Sequence, residues 1–193
     1  PQKIIASPQD IFSLTTVALD LETTGLSPED DRIVEVAAVK WINGEETDSF
    51  HSLVNPERRM PKEASEVNGI TDAMLADQPL ISTVLPQFLE FCQADIVIAH
   101  YASFDYDFLL YTCVREKYGH MPFDMVDTCE YARQAFPGHR SYKLRSVKRY
   151  LQIKGRQTHR ALDDARDCMA VFMRCVQEYP DYMTEFLPAI PTR

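Results

Sequence analysis

The sequence lacks long apolar runs, paired cysteine motifs and an excess of basic residues. No apolar run approaches the roughly 20 residues of a membrane-spanning helix, and no signal-peptide pattern opens the chain. The five cysteines are an odd number with no C-x-x-C spacing, which argues against a disulfide framework and against a thiolate zinc site. We therefore expect reduced thiols, a cytoplasmic location and no membrane partner.

Basic residues are outnumbered, with 20 Lys and Arg against 29 Asp and Glu and a net charge of −9. Because phosphate-binding surfaces are usually basic, tight binding of extended duplex is not expected. Acids that bind divalent cations reverse the local sign of the charge. The composition therefore favours a short single strand, or only its end, over a long duplex.

The composition otherwise indicates an ordinary globular protein. The 193 residues are 45% hydrophobic and 25% charged, which fits one domain with a core of about 14–179 and short extensions at both ends. There are no internal repeats, low-complexity segments or linkers. Since the numbering opens at Pro1 without an initiator methionine, we interpret the chain as trimmed or as a piece of a longer one.

The stretch T-T-V-A-L-D-L-E-T-T-G-L at 15–26 has the period-two pattern of a strand. Asp20 and Glu22 then share one face, about 7 Å apart along the strand. Two adjacent carboxylates repel each other and are costly to bury without a cation, so the pair predicts a divalent metal site. Gly25 ends the strand and allows close approach of a ligand to the backbone. The alternative is an edge strand with two solvated acids.

The remaining pattern predicts an α/β domain with a mixed sheet. Three strands joined by short turns form an antiparallel meander, and alternating helices and strands follow. The residues between 55 and 78 are expected to be irregular apart from a short helix. The expected strands are the one that begins at 15 and is ended by Gly25, then 32–41, 47–54, 96–99 and 126–127, and the expected helices are 71–75, 82–92, 104–112, 128–134, 143–151 and 160–179.

The last long helix distinguishes two adjacent acids by geometry. At 100° per residue, Asp163 points roughly 160° from the centre of the buried stripe, whereas Asp164 lies only about 100° away, beside the core. Asp164 is therefore the better ligand candidate, and the alternative is that both acids favour the helix dipole. The stripe consists of Leu162, Ala165, Met169, Phe172 and Val176.

Two further residues lie at element ends where ligands bind in α/β sheets. Asp105 is in the first turn of a helix that directly follows an apolar strand. His159 comes just before the last long helix. The alternatives are a dipole-favouring acid for Asp105 and an ordinary surface histidine for His159.

These residues lie in three ordered motifs: D-L-E-T-T-G from Asp20, A-H-Y-A-S-F-D ending at Asp105, and H-R-A-L-D-D-A from His159. The chain thereby resembles the DnaQ-like (DEDDh) 3′–5′ exonucleases over about 16–176, and in particular the proofreading subunit or domain of bacterial replicative DNA polymerases. The resemblance implies a ribonuclease H-like fold, with a central mixed five-stranded sheet flanked by helices.

The resemblance also implies a site. Asp20, Glu22, Asp105 and Asp164 would hold two Mg²⁺ or Mn²⁺ ions, and His159 would be the general base. The terminal nucleotide and its 3′-hydroxyl would lie against the backbone of Thr23, Thr24 and Gly25. Further substrate contacts would come from Ile70, Tyr101 and Phe104.

Two residues depart from the pattern of many relatives, which have Asn in place of Tyr101 and His in place of Asn68. Neither is an expected metal ligand, so the departures concern substrate contact. Our hypothesis is that Tyr101 stacks on or flanks a base. The alternative is that its ring packs as part of a helix cap.

The expected function is a metal-dependent 3′–5′ exonuclease that releases nucleoside monophosphates from single-stranded DNA 3′ ends, in proofreading or repair. Its expected partners are that DNA end and a DNA polymerase subunit or domain. One alternative is an oligoribonuclease-like enzyme that trims RNA, since H-R-A-L-D-D also occurs in that branch. Another is a non-catalytic nucleic-acid-binding domain, which would be expected to lose at least one of the five key residues.

Overall fold

A mixed sheet of five strands forms the centre of the protein, in a computed structural model that describes residues 7–154 and 160–186. The strand order is β3-β2-β1-β4-β5. β2 runs antiparallel to both of its neighbours, whereas β1, β4 and β5 are parallel. The predicted architecture is therefore confirmed. The strands are β1 (Thr16–Thr23), β2 (Ile33–Ile42), β3 (Glu45–Leu53), β4 (Ile96–Ala99) and β5 (Val126–Asp127).

Helices cover both faces of this sheet. Among the described helices, none combines the length and the apolar character needed to cross a bilayer. In chain order they are α1 (Pro8–Phe12), α2 (Lys62–Asn68), α3 (Asp72–Leu75), α4 (Ile81–Phe91), α5 (Ala102–Arg115), α6 (Thr128–Ala135), α7 (Leu144–Tyr150), α8 (Ala161–Glu178) and α9 (Asp181–Phe186).

Three of these helices were not predicted, and α2 contradicts the expectation of an irregular 55–78 segment. Its seven residues are mostly exposed, and only Asn68 is buried, so the segment carries no apolar period. α1 and α9 are only five and six residues long, which is too short to show a helical period. The expected bounds of the other elements differ from the observed ones by a few residues at most.

Successive side chains of β1 point to opposite faces of the sheet, and this alternation determines which helices they contact. Val17, Leu19 and Leu21 pack on the face that carries α4 and α5, whereas Ala18 packs on the face that carries α8. Asp20 and Glu22 follow Ala18 at intervals of two, so they share the α8 face. The sheet thus points both acids at the helix that carries Asp164.

α8 is the main helix on that face, and its apolar stripe is largely as predicted. Ala165, Met169, Phe172 and Val176 are buried, whereas Leu162 is partly exposed. α7 is tied to α8 by a buried ion pair between Lys148 Nζ and the Asp167 carboxylate. All five cysteines are buried and free, in agreement with the expected reduced thiols.

Candidate active site

Three carboxylates from two distant segments meet at the carboxyl end of β1. Asp20 and Glu22 come from β1 and Asp164 from the first turn of α8. One carboxylate oxygen from each lies within 4.8 Å of the others. Asp163, one residue earlier, is 36% exposed and lies 4.0 Å from Arg166.

The electrostatics of this cluster are those of a cation site. Burial raises the pKa of Asp20 well above its ordinary value, and the charges of Asp105, Glu22 and Asp164 raise it further. Burial, followed by the Glu35 and Asp164 charges, raises the pKa of Glu22 to about 7. The protein alone therefore resists ionising these groups together, and a divalent cation would offset the repulsion. Clustered carboxylate oxygens are the donor set that Mg²⁺ or Mn²⁺ prefers.

Asp105 lies next to this cluster, in the first turn of α5. Its side chain is buried, and burial raises its pKa well above the ordinary value. Hydrogen bonds from its own backbone amide and from that of Leu21 act in the opposite direction. Asp105 is thus hydrogen-bonded to the β1 backbone at Leu21, between the two β1 carboxylates. Its charge raises the pKa of Asp20.

Asn68 is a site residue whose role the sequence left unassigned. It is buried at the end of α2, where its side-chain amide lies 3.4 Å from the Thr23 carbonyl oxygen. Its oxygen accepts from the Ile70 amide at 3.0 Å, and a side-chain hydrogen bond to Glu22 lowers the pKa of that carboxyl. Asn68 therefore orients Glu22. Ile70 is fully buried in a small apolar cluster beneath this contact.

Glu35 and Arg160 form a second contact that sequence reasoning missed. Glu35 is paired with Glu22 across β1 and β2 and is 0% exposed. Arg160 donates to its carboxylate from Nη2 at 2.7 Å and from Nε at 3.0 Å. The Ala161 amide donates at 3.3 Å, and His51 Nε2 lies 2.6 Å away.

These contacts settle the charge state of Glu35. Burial raises its pKa, but the hydrogen bonds from His51, Arg160 and the Ala161 amide outweigh burial and hold the pKa below its ordinary value. Glu35 is therefore ionised and fixes the start of α8 on β2. A single acid inside the apolar run I-V-E-V-A-A-V is the signal that could have identified it.

The loop after β1 is a closed hydrogen-bonded unit. Thr23 Oγ1 donates to the Gly25 carbonyl oxygen at 2.6 Å, and Thr24 Oγ1 donates to Asp31 Oδ1 at 3.0 Å. A Cβ on Gly25 would lie 2.3 Å from Asp31 Oδ2, which is held by the Ser27 amide. Gly25 is thus required by the approach of Asp31. Both hydroxyl protons are thus used inside the loop, and Thr24 Oγ1 also accepts from the Arg32 amide at 3.0 Å.

Tyr101 and Phe104 lie at the beginning of α5. Tyr101 is 41% exposed, and its backbone adopts the left-handed conformation with φ 64°, an uncommon one for a bulky residue. Its amide donates to Asp127 Oδ1 at 3.1 Å, and its ring meets that of His100 edge-on at 5.3 Å. Phe104 is partly buried against Phe108.

His100 has a structural role in this region. Nε2 lies 2.7 Å from the Tyr142 carbonyl oxygen, which can only accept, so Nε2 carries the proton and Nδ1 faces the Thr128 hydroxyl. Burial lowers the pKa of His100, which keeps the ring neutral. The other motif histidine, His159, lies outside the described residues.

Comparisons with known proteins agree with this arrangement. The family model described as "Exonuclease" matches residues 17–172. DNA polymerase III PolC-type of Thermotoga maritima is 41% identical over 84% of the chain, but the chain spans only 12% of that protein. DNA polymerase III subunit epsilon of Treponema pallidum is 35% identical over 84% of the chain and 76% of the subunit.

A solved structure of Exonuclease X in complex with 5′ overhanging duplex DNA has a TM-score of 0.71 and 29% identity. The match covers 86% of this chain and 93% of that one. The family model covers well over half of the sequence, and the epsilon subunit matches over most of its own length. The resemblance seen in the motifs is therefore confirmed, and the chain belongs to the exonuclease family.

Proposed function

We propose that the chain is a 3′–5′ exonuclease domain that hydrolyses single-stranded DNA from its 3′ end with two Mg²⁺ or Mn²⁺ ions. The observation that carries this proposal is the convergence of Asp20, Glu22 and Asp164, whose ligand oxygens lie within 4.8 Å of one another. DNA as substrate is supported by the relatives, which are components of DNA polymerase III, and by the DNA-bound Exonuclease X.

The ions would be held by the three clustered carboxylates together with Asp105. When bound, such ions lower the pKa of water and neutralise charge on the phosphoryl oxygens. Asn68 and the Glu35–Arg160 pair keep Glu22 and the start of α8 in register. His159, immediately before Arg160, takes the proton from the attacking water in this proposal.

The substrate end would lie between the β1 loop and the start of α5. The backbone of Thr23, Thr24 and Gly25 supports the terminal nucleotide, with Ile70 beneath it and Phe104 beside it. The half-exposed ring of Tyr101 offers a stacking surface that is independent of base identity. The proposed partner is a polymerase subunit or a further domain of a polymerase chain, and the proposed location is the cytoplasm.

The test is a degradation ladder. Oligonucleotides labelled at the 5′ or the 3′ end, as DNA and as RNA, are incubated with Mg²⁺ and then with chelator. We expect a 5′-labelled DNA to shorten stepwise and a 3′-labelled DNA to release its label at once as a mononucleotide. Chelator stops both reactions. Faster turnover of the matched RNA would mean that RNA, and not DNA, is the substrate. Cleavage that persists in chelator would exclude the metal mechanism.

Variants test the roles of single residues. Asp20→Ala should abolish activity with the fold intact, because it removes a ligand shared by the cluster. His159→Ala should lower kcat strongly and alter the pH profile at full metal occupancy. A normal kcat for His159→Ala would remove that residue from the mechanism.

A further inference from the structure

A cavity of about 380 Å³ lies on the face of the sheet opposite the acidic cluster. It opens between the start of β2, the loop at 55–58 and the second half of α5. It adjoins the β1 loop, because Thr24 N donates to the Arg32 carbonyl oxygen at 2.8 Å and Arg32 N donates to Thr24 Oγ1 at 3.0 Å. Its volume is in the range of small-ligand sites.

Three arginines line this cavity although the chain carries a net charge of −9. Each donates to backbone carbonyl oxygens of the turn at 28–31, which holds the three guanidinium groups in place. The bonds run from Arg32 Nη1 to Asp30 O (2.8 Å) and Asp31 O (2.9 Å), from Arg58 Nη1 to Asp30 O (2.6 Å), and from Arg115 Nη2 to Pro28 O (3.0 Å) and Glu29 O (3.2 Å).

The positive charge of the three is not paired. Within 7–154 and 160–186, no carboxylate oxygen lies within 4 Å of these guanidinium groups, whereas Arg133, Arg160 and Arg166 each pair with an acid. Burial and the nearby charge of Arg32 lower the pKa of Arg115. An anion in the cavity would relieve this repulsion.

The donors that remain suit a phosphate group. Arg32 and Arg58 use only Nη1 for the carbonyl bonds, so their Nε–Nη2 edges make no hydrogen bond to the described part of the chain. That edge binds two oxygens of a phosphate in the bidentate manner. Glu57 and Glu116 also line the cavity, and their charges oppose an anion; neither lies within ion-pair distance of the arginines in the described residues, although the charge of Glu116 raises the pKa of Arg115.

We propose that this cavity binds a backbone phosphate of the nucleic acid strand, upstream of the bond that is cleaved. The inference rests on the proposed function, because the cavity adjoins the loop that supports the terminal nucleotide. In this proposal Arg32, Arg58 and Arg115 bind the nucleic acid strand, and the acidic cluster carries out the chemical step.

Arg58→Gln is the informative variant, since Arg58 is exposed and its loss leaves the core intact. On a long oligothymidylate we expect KM to rise about 5–10-fold with kcat unchanged. The slope of log KM against log salt, measured between about 50 and about 200 mM, should decrease by about 0.7 for one lost phosphate contact. The matched control is Arg59→Gln, which removes the same charge one residue further on, at a residue that does not line the cavity.

A dinucleotide without a 5′ phosphate contains only the scissile phosphate, so it cannot fill the cavity. Its KM should therefore be unchanged by Arg58→Gln. Glu57→Gln should lower KM for the long substrate about two- to threefold, a gain that damage to the fold cannot produce. Equal effects of Arg58→Gln and Arg59→Gln, or an equal effect on the dinucleotide, would overturn the assignment.

Two further measurements separate the remaining outcomes. If inorganic phosphate inhibits dinucleotide cleavage and Arg58→Gln relieves the inhibition, the cavity binds free phosphate and the strand assignment is wrong. Binding of the labelled long oligonucleotide to Asp20→Ala, with and without Arg58→Gln, tests the cavity without catalysis. If the protein does not cleave DNA but Arg58→Gln still weakens DNA binding, the proposed function is wrong, whereas the cavity remains assigned as a DNA phosphate site.

Discussion

The acidic cluster should make the metal-free protein less stable as the pH rises, and Glu22→Gln should remove much of this effect. The pKa of Glu22 is about 7 in the fold and 4.5 ordinarily, so between these values the folded state binds more protons than the unfolded state. The free energy of unfolding then falls with rising pH by at most about 1.4 kcal/mol per unit. Over the whole window the loss is at most about 3.4 kcal/mol.

The assay is urea unfolding of wild type and Glu22→Gln in chelator, at several values between about pH 4.5 and about pH 8. The two proteins should be nearly equal at the acid end, and the variant should be more stable by about 2–3 kcal/mol at the alkaline end. Buried His100 acts in the opposite direction below its ordinary pKa of 6.5, but it is common to both proteins and cancels in the difference.

With Mg²⁺ or Mn²⁺ in place of chelator, wild type should be more stable to urea than Glu22→Gln. A cation that binds only the folded state stabilises wild type by about 4.1 kcal/mol at about one thousand times its Kd, which exceeds the advantage of the variant, whereas the variant has lost a ligand and gains less. Asp163→Asn is the control, because it removes a neighbouring charge outside the three-carboxylate cluster. A wild-type stability that is flat or rises between about pH 6.5 and about pH 8 in chelator, with no gain from Glu22→Gln, would refute the reasoning.

Three further predictions concern α8, its partner helix and the start of α5. Asp164→Asn should reduce nuclease activity nearly to background and Asp163→Asn should reduce it little; equal losses would contradict the helix-face argument. Lys148→Met should cost about 3 kcal/mol in urea unfolding by leaving Asp167 unpaired, and adding Asp167→Leu should recover most of it. Tyr101→Asn should raise the stability by roughly 0.5–1 kcal/mol by relieving the left-handed backbone while raising KM for single-stranded DNA; an unchanged KM would exclude base stacking.

The sequence predicted those features that depend on local periodicity. Alternation in β1 gives the shared face of Asp20 and Glu22, and the 100° step of a helix separates Asp164 from Asp163. Both inferences need only neighbouring residues. The mixed five-stranded sheet followed from the motif resemblance, whereas the order of its strands was not predicted.

The rest of the site depends on contacts between distant segments, which periodicity does not encode. Asn68 reaches Glu22 because α2, which has no apolar stripe, ends beneath β1. Asp31 packs against Gly25, a contact that the predicted role of Gly25 in admitting a ligand did not include. Glu35 and Arg160 are 125 positions apart, so no local pattern could join them.

The 125-residue separation of Glu35 and Arg160 has a consequence for synthesis on the ribosome. The sheet strands are translated before α8, and that helix both carries Asp164 and is anchored by Arg160. A nascent chain that stops short of α8 has the β1 acids but lacks Asp164 and Arg160. The three-carboxylate cluster can therefore form only after α8 (Ala161–Glu178) has been synthesised and has packed on the sheet.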